Sequence, residues 1–150
     1  MRFFYLLVLS WLSSSAFATQ VVIESPCSDV RLLDAQVEYG QATNAGAVTL
    51  QAFDTNHVVY IGNAVGINSI NGTVTGTHAV ETIADSVFRV YGWCYKVDGV
   101  EPGVTPDHLP VTSNDGVITW FFAFAKYDHG SWIKMCEPTN IIKPSFVCHP

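Results

Sequence analysis

The sequence predicts an α+β fold, a mixed sheet with one short helix packed across it and stapled by disulfides. Three observations point there. The runs Gly92-Trp93-Cys94-Tyr95-Lys96-Val97-Asp98-Gly99 and Asp115-Gly116-Val117-Ile118-Thr119-Trp120-Phe121-Phe122 are dense in aromatic and β-branched residues, and each abuts an Asp-Gly turn, so both read as core strands. One stretch alone, Ala45 to Phe53, places apolar residues at convincing helical spacings of three and four. Four cysteines, Cys27, Cys94, Cys136 and Cys148, occur with no C-x-x-C spacing.

Residues 1–18 read as an export signal. Arg2 supplies positive charge, Phe3 to Leu12 is apolar apart from Ser10, and Ala16-Phe17-Ala18 is an A-x-A-like cleavage site. The apolar run is shorter than the roughly 20 residues a membrane span needs. Cutting after Ala18 leaves 132 residues, 19–150, the size of a single domain, with thirteen acidic against six basic side chains and a net charge of −7. So acidic a chain without a basic cluster has nothing to neutralise phosphates, which argues against nucleic acid and anionic membrane surfaces as partners. The expected location is periplasmic or secreted, with no membrane span in the mature chain. In that oxidising compartment four cysteines imply two disulfides. The favoured pairing joins Cys94 to Cys136 across one sheet and Cys27 to Cys148 at the two chain ends.

Val21-Val22-Ile23 is a short apolar strand, broken by Ser25-Pro26-Cys27. From Leu33 to Tyr39 apolar residues alternate with Asp34, Gln36 and Glu38, the period of an amphipathic strand, and Gly40 ends it. Thr43 or Asn44 caps a helix over about residues 44–55. Val58 to Ile61 reads as a strand, and the Gly- and Asn-rich stretch 62–72 closes on Asn71-Gly72, a tight-turn pair. Asn71-Gly72-Thr73 also fits the glycosylation pattern, although the turn already accounts for Asn-Gly. Thr73 to Asp85 is polar, a loop or short strand, and Ser86 to Val97 is a long strand turned by Asp98-Gly99.

Between Val100 and Pro110, the prolines at 102, 106 and 110 predict an irregular loop. Ser113-Asn114-Asp115-Gly116 makes the next turn, Val117 to Ala125 a strand, Asp128-His129-Gly130 a hairpin turn, and Ser131 to Cys136 the returning strand. Residues 137–150, with the apolar pair Ile141-Ile142, are expected to pack along an edge. Alternation places Tyr91, Trp93, Tyr95 and Val97 on one face and Ile118, Trp120, Phe122 and Phe124 on another, filling the space under the helix. Phe121, Tyr127 and Trp132 would then form a second aromatic surface outside the core.

No constellation of catalytic type stands out, and the expectation is no enzyme. His57, His78, His108, His129 and His149 lie singly near turns, without the clustering a metal site requires. Asp128-His129 is an acid beside a base, but it sits in a turn that wants Asp and Gly for geometry, and no serine has a nucleophile-elbow context.

The two strand runs, with the Pro-containing loop between them, resemble the transcobalamin-like C-terminal domain family. This is a small β-grasp module found at the end of vertebrate cobalamin carriers and as stand-alone exported bacterial proteins. The likeness is close over about residues 87–125 and loose over 30–72. It implies a β-grasp-like sheet over residues 19–150. It also implies a non-catalytic binding module whose ligand meets Trp93, Tyr95 and the Val97–Pro106 loop, Gly103 and Val104 of that loop among the contacts. In the carriers that segment lies over a corrinoid, and the histidine that coordinates cobalt comes from a separate helical domain not found in these 150 residues. The resemblance therefore names a corrinoid-type small molecule or cofactor, with a protein–protein interaction module of the cell envelope or secreted space as the alternative.

Overall fold

The computed structural model describes residues 17–112, 116–139, 142, 144 and 146–148. The expected export signal lies outside the described residues except for Phe17 and Ala18, as do positions 113–115 of the turn before Gly116, Ile141 and His149.

The chain opens with a hairpin. β1 (Phe17–Glu24) pairs antiparallel with β2 (Arg31–Tyr39), in register from Phe17 opposite Tyr39 to Ile23 opposite Leu33, with a one-residue shift that sets Glu24 opposite Arg31. The strand is longer than Val21-Val22-Ile23, and cleavage after Ala18 would remove its first two residues, one of which sets the Phe17 ring 5.9 Å from that of Tyr39.

A two-residue β3 (Thr43–Asn44) leads into α1 (Ala45–Thr55), where the Asn44 side chain accepts the Ala47 N–H at 2.8 Å and caps the first turn. The buried residues Ala45, Val48, Thr49, Ala52 and Phe53 recur at spacings of three and four and form the stripe that faces the sheet. The helix ends in a Schellman closure. Val58 N–H reaches back to Phe53 O at 2.9 Å and His57 takes a positive φ of 55°, so His57 and Val58 serve the cap. The strand expected at 58–61 consequently starts later, as β4 (Tyr60–Asn63). It pairs with β5 (Gly66–Ile70), which lies in the Gly- and Asn-rich stretch where no strand was expected. Asn71 and Gly72 follow in a left-handed turn, with φ of 51° and 78°.

A short 3-10 turn (Gly76–His78) precedes β6 (Val80–Ala84), and then comes the long β7 (Val87–Val97). Asp98 and Gly99 turn it with φ of 50° and 80°. The irregular loop that follows contains a 3-10 turn (Pro106–His108) and ends in β8 (Pro110–Val111), which pairs with β3. β9 (Val117–Asp128) and β10 (Ser131–Pro138) form the last hairpin, both longer than their expected bounds.

The main sheet runs β2-β1-β9-β7-β6, with β10 also on β9. β1 and β9 are parallel and the other pairs antiparallel. The core lies between this sheet and α1, with Val21, Ile23, Phe53, Tyr91, Ile118 and Trp120 at its centre. Apart from α1 and two short 3-10 turns the described residues are strands and loops. The molecule is therefore a mixed, mostly-β sheet protein with one short helix, less evenly divided than an α+β class implies. Two disulfides staple it, Cys27–Cys148 and Cys94–Cys136, the favoured pairs.

Trp93 and Trp120 sit in the core on adjacent strands, 9% and 2% exposed. The second aromatic surface is smaller than alternation suggests. Phe88, Tyr127 and Trp132 pack ring on ring at 4.6–5.9 Å, but Phe121 is only 3% exposed and lies under the Lys96 ammonium, 5.1 Å from its ring centre. A cation over an aromatic face covers it as an apolar neighbour would.

Candidate functional site

Strand alternation brings Trp93 and Tyr95 to the same face of β7, two residues apart. Tyr95 stacks on Trp120 with ring centres 5.5 Å apart, and Trp120 donates its indole N–H to Thr49 Oγ1 of α1 at 3.0 Å. The Trp93 ring meets Phe122 edge-on at 5.3 Å. These side chains are held by their neighbours and do not depend on a ligand for position.

The loop after β7 is braced at three points. Val97 and Val100 exchange backbone hydrogen bonds of 2.9 and 3.0 Å across the Asp98-Gly99 turn. The Tyr95 hydroxyl donates to Val104 O at 2.7 Å, tying the loop tip back to the strand. At the far end, Ala45 N–H donates to Leu109 O at 2.9 Å, fastening the loop exit to the start of α1. Burial first, and then the Asp107 carboxylate, push the Tyr95 hydroxyl above its ordinary pKa, so it stays protonated and able to donate at neutral pH.

Between this loop, β7 and the end of β10 lies a cavity of about 450 Å³. Trp93, Tyr95, Gly103 and Val104, the four residues expected to bind ligand, all line it. Glu101, of the expected loop, is the charged residue of the lining, and residues not expected at the site complete the wall: Met135 with the Cys94–Cys136 disulfide on one side, Val65 and Gly66 of the β4–β5 hairpin on another. Met135 was within reach of sequence reasoning, because pairing Cys136 with Cys94 draws its neighbour alongside Trp93. Val65-Gly66 carries no such signal. Its place depends on how the β4–β5 hairpin folds onto the sheet.

The histidines are dispersed. His57 closes α1, His78 ends a 3-10 turn, and His108 lies 3.1 Å from Asp107 and 2.9 Å from the Thr105 hydroxyl. His129 sits in the last hairpin turn, 2.6 Å from Asp128. Among the described residues no three His, Cys, Asp or Glu side chains gather as a metal site would require, and no helix is long and apolar enough to cross a membrane.

No family model and no curated protein matches the chain. Among solved structures it is similar to the crystal structure of a candidate metal-binding protein from Ruminococcus gnavus ATCC 29149, at 14% identity and a TM-score of 0.38, over 70% of this chain and 94% of that one.

Proposed function

We propose that this chain is an exported, non-catalytic binding module of the transcobalamin-like, β-grasp type, whose ligand occupies the cavity between β7 and the Val97–Pro106 loop. The observation that carries the reading is the convergence of Trp93, Tyr95, Gly103 and Val104, from two separate segments, on one mainly apolar cavity of about 450 Å³. That volume lies within the range of small-molecule sites, and apolar walls with a few polar groups are their usual lining. The opening hairpin, the helix after it and the parallel β1–β9 pair support the β-grasp reading. The two disulfides support an oxidising compartment.

By resemblance the ligand is of corrinoid type, held here from one side only. Cyanocobalamin and cobinamide titrated into the mature protein should quench tryptophan fluorescence saturably. Val104→Asp, which puts a charge on the exposed loop tip without touching the core, should weaken binding about tenfold or more, while substitutions at His57 and His129 should change nothing. If a corrinoid binds equally to the Val104→Asp variant but is lost on substitution of His57 or His129, the site lies elsewhere.

The second reading, a protein-interaction module, is favoured by the outer aromatic cluster. Trp132 is 52% exposed, and Ile133 and Met135 beside it are exposed as well. It expects no ligand-dependent fluorescence change and an increase in size with a partner.

A further inference from the structure

Beside the cavity, no described strand pairs with the outer edge of β7. Residues of an antiparallel strand turn their N–H and C=O alternately to one neighbour and the other. Asp98 N–H points to β9, bonding to Val117 O at 3.0 Å, whereas Tyr91 N–H points the opposite way, to Ala79 O at 3.0 Å, and Val97 turns outward to Val100. Trp93 and Tyr95 fall in the outward set. The β6 ladder reaches only as far as Val90, so no described strand pairs with Trp93 or Tyr95 on that side. Three consecutive residues, Trp93, Cys94 and Tyr95, line the cavity, which places it along the strand edge and not over a single face. Trp93 also carries an indole N–H that is buried with no acceptor among the described residues. Buried donors without partners are rare enough in folded proteins to ask for a reason.

We propose that the cavity receives an extended peptide segment, added as a short strand along β7 at Trp93–Tyr95, with an apolar side chain in the cavity and a basic residue beside Glu101. The proposal rests on the reading that this cavity is the ligand site, and it selects the class of ligand from the edge chemistry. Trp93 and Tyr95, unpaired by any described strand on this side, present donor and acceptor pairs roughly 7 Å apart, the repeat of a β-strand, and main-chain pairing with side-chain pockets is how added strands are recognised. The charge is complementary to a basic segment. Glu101 is the charged residue of the lining, Asp107 is close enough to act on the Tyr95 hydroxyl, and the chain carries a net charge of −6.

The test uses the mature, disulfide-intact protein labelled with nitrogen-15. The probe is the blocked pentapeptide acetyl-Lys-Val-Thr-Val-Lys-amide, alongside one form N-methylated on both valines and another N-methylated on the threonine. The unmodified peptide should shift the Trp93 and Tyr95 amide resonances and slow their exchange. One of the two N-methylated forms should bind about tenfold more weakly, the loss expected when backbone hydrogen bonds are blocked, while the other binds as the parent does. Glu101→Gln should weaken binding, and so should added salt.

Equal binding of both N-methylated forms would overturn strand addition. So would a free protein that is already a dimer with the Trp93 and Tyr95 amides protected, since a second copy would then be the occupant. If corrinoids bind in a Val104→Asp-sensitive manner while the peptide moves no resonance between residues 93 and 106, the peptide inference fails and the cavity reading stands. If neither probe has any effect, both fail.

Discussion

Trp120 is positioned by a single buried polar contact, its indole N–H on Thr49 Oγ1 at 3.0 Å, and this bond links the aromatic strand to the helix beneath the cavity. Thr49→Val keeps the side chain's shape and removes the acceptor, so it should cost about 1–3 kcal/mol, the penalty for stranding a buried donor, read from urea unfolding. A second residue-scale network responds to pH. Glu81 accepts from the Tyr91 hydroxyl at 2.6 Å and from Arg89 at 3.0 Å. The Tyr91 bond first, with Arg89 adding to it, holds the Glu81 carboxyl below its ordinary value of 4.5 despite partial burial. A carboxyl whose pKa is lowered by folding contributes stability above its unfolded pKa and loses it as pH falls toward the folded one. Burial first, and then Glu81, push Tyr91 from 10.0 up to about 12, so its contribution is present below pH 10 and fades as pH rises toward 12. Urea midpoints measured across the acid range should therefore fall less steeply for Glu81→Gln than for the parent, and Tyr91→Phe should flatten the alkaline limb.

At the scale of elements, the site depends on how closely α1 packs against the β4–β5 hairpin. A Cβ at Gly46, in the first turn of α1, would lie 2.1 Å from the backbone oxygen of Ala64, a neighbour that has no side-chain freedom with which to yield. Gly46→Ala should destabilise by roughly 1–3 kcal/mol through overpacking, outweighing the gain of about 1 kcal/mol that alanine brings to a helix interior. Because Ala64 adjoins Val65 and Gly66 in the cavity wall, the same variant should displace the resonances of Trp93 and Val104. A thermal unfolding scan and one heteronuclear spectrum check both effects. The loop opposite needs no such packing, since Tyr95, Val97 and Ala45 already tie it by hydrogen bonds.

For the whole molecule, the two disulfides have separable roles. Cys27–Cys148 closes 121 residues and Cys94–Cys136 closes 42, so by chain entropy the first stabilises by up to about 5 kcal/mol and the second by up to about 4. Their effects on the site should differ. The double variant Cys94→Ala with Cys136→Ala releases the Met135 wall and should weaken cavity binding as well as stability. The pair Cys27→Ala with Cys148→Ala should lower stability and leave affinity unchanged. Urea unfolding and the fluorescence titration, run on both variants, check the division.

What was legible in the sequence was local. Period-two alternation marked β7 and β9, the Asn44 cap and the three-and-four spacing marked α1, and Asp98-Gly99, Asn71-Gly72 and His129-Gly130 marked turns that the backbone takes with positive φ. Each of these signals is complete within a few residues, because dihedral preference and side-chain direction are properties of the chain segment itself. The tertiary structure alone decided that β1 runs parallel to β9, that the Gly-rich stretch holds β5, and that Phe121 is covered by Lys96. It also decided that Val65 and Gly66 face Trp93 and Val104 across the cavity. These outcomes come from burial and pairing between segments far apart in the chain. No local pattern encodes which distant surface a strand edge or an aromatic ring will meet.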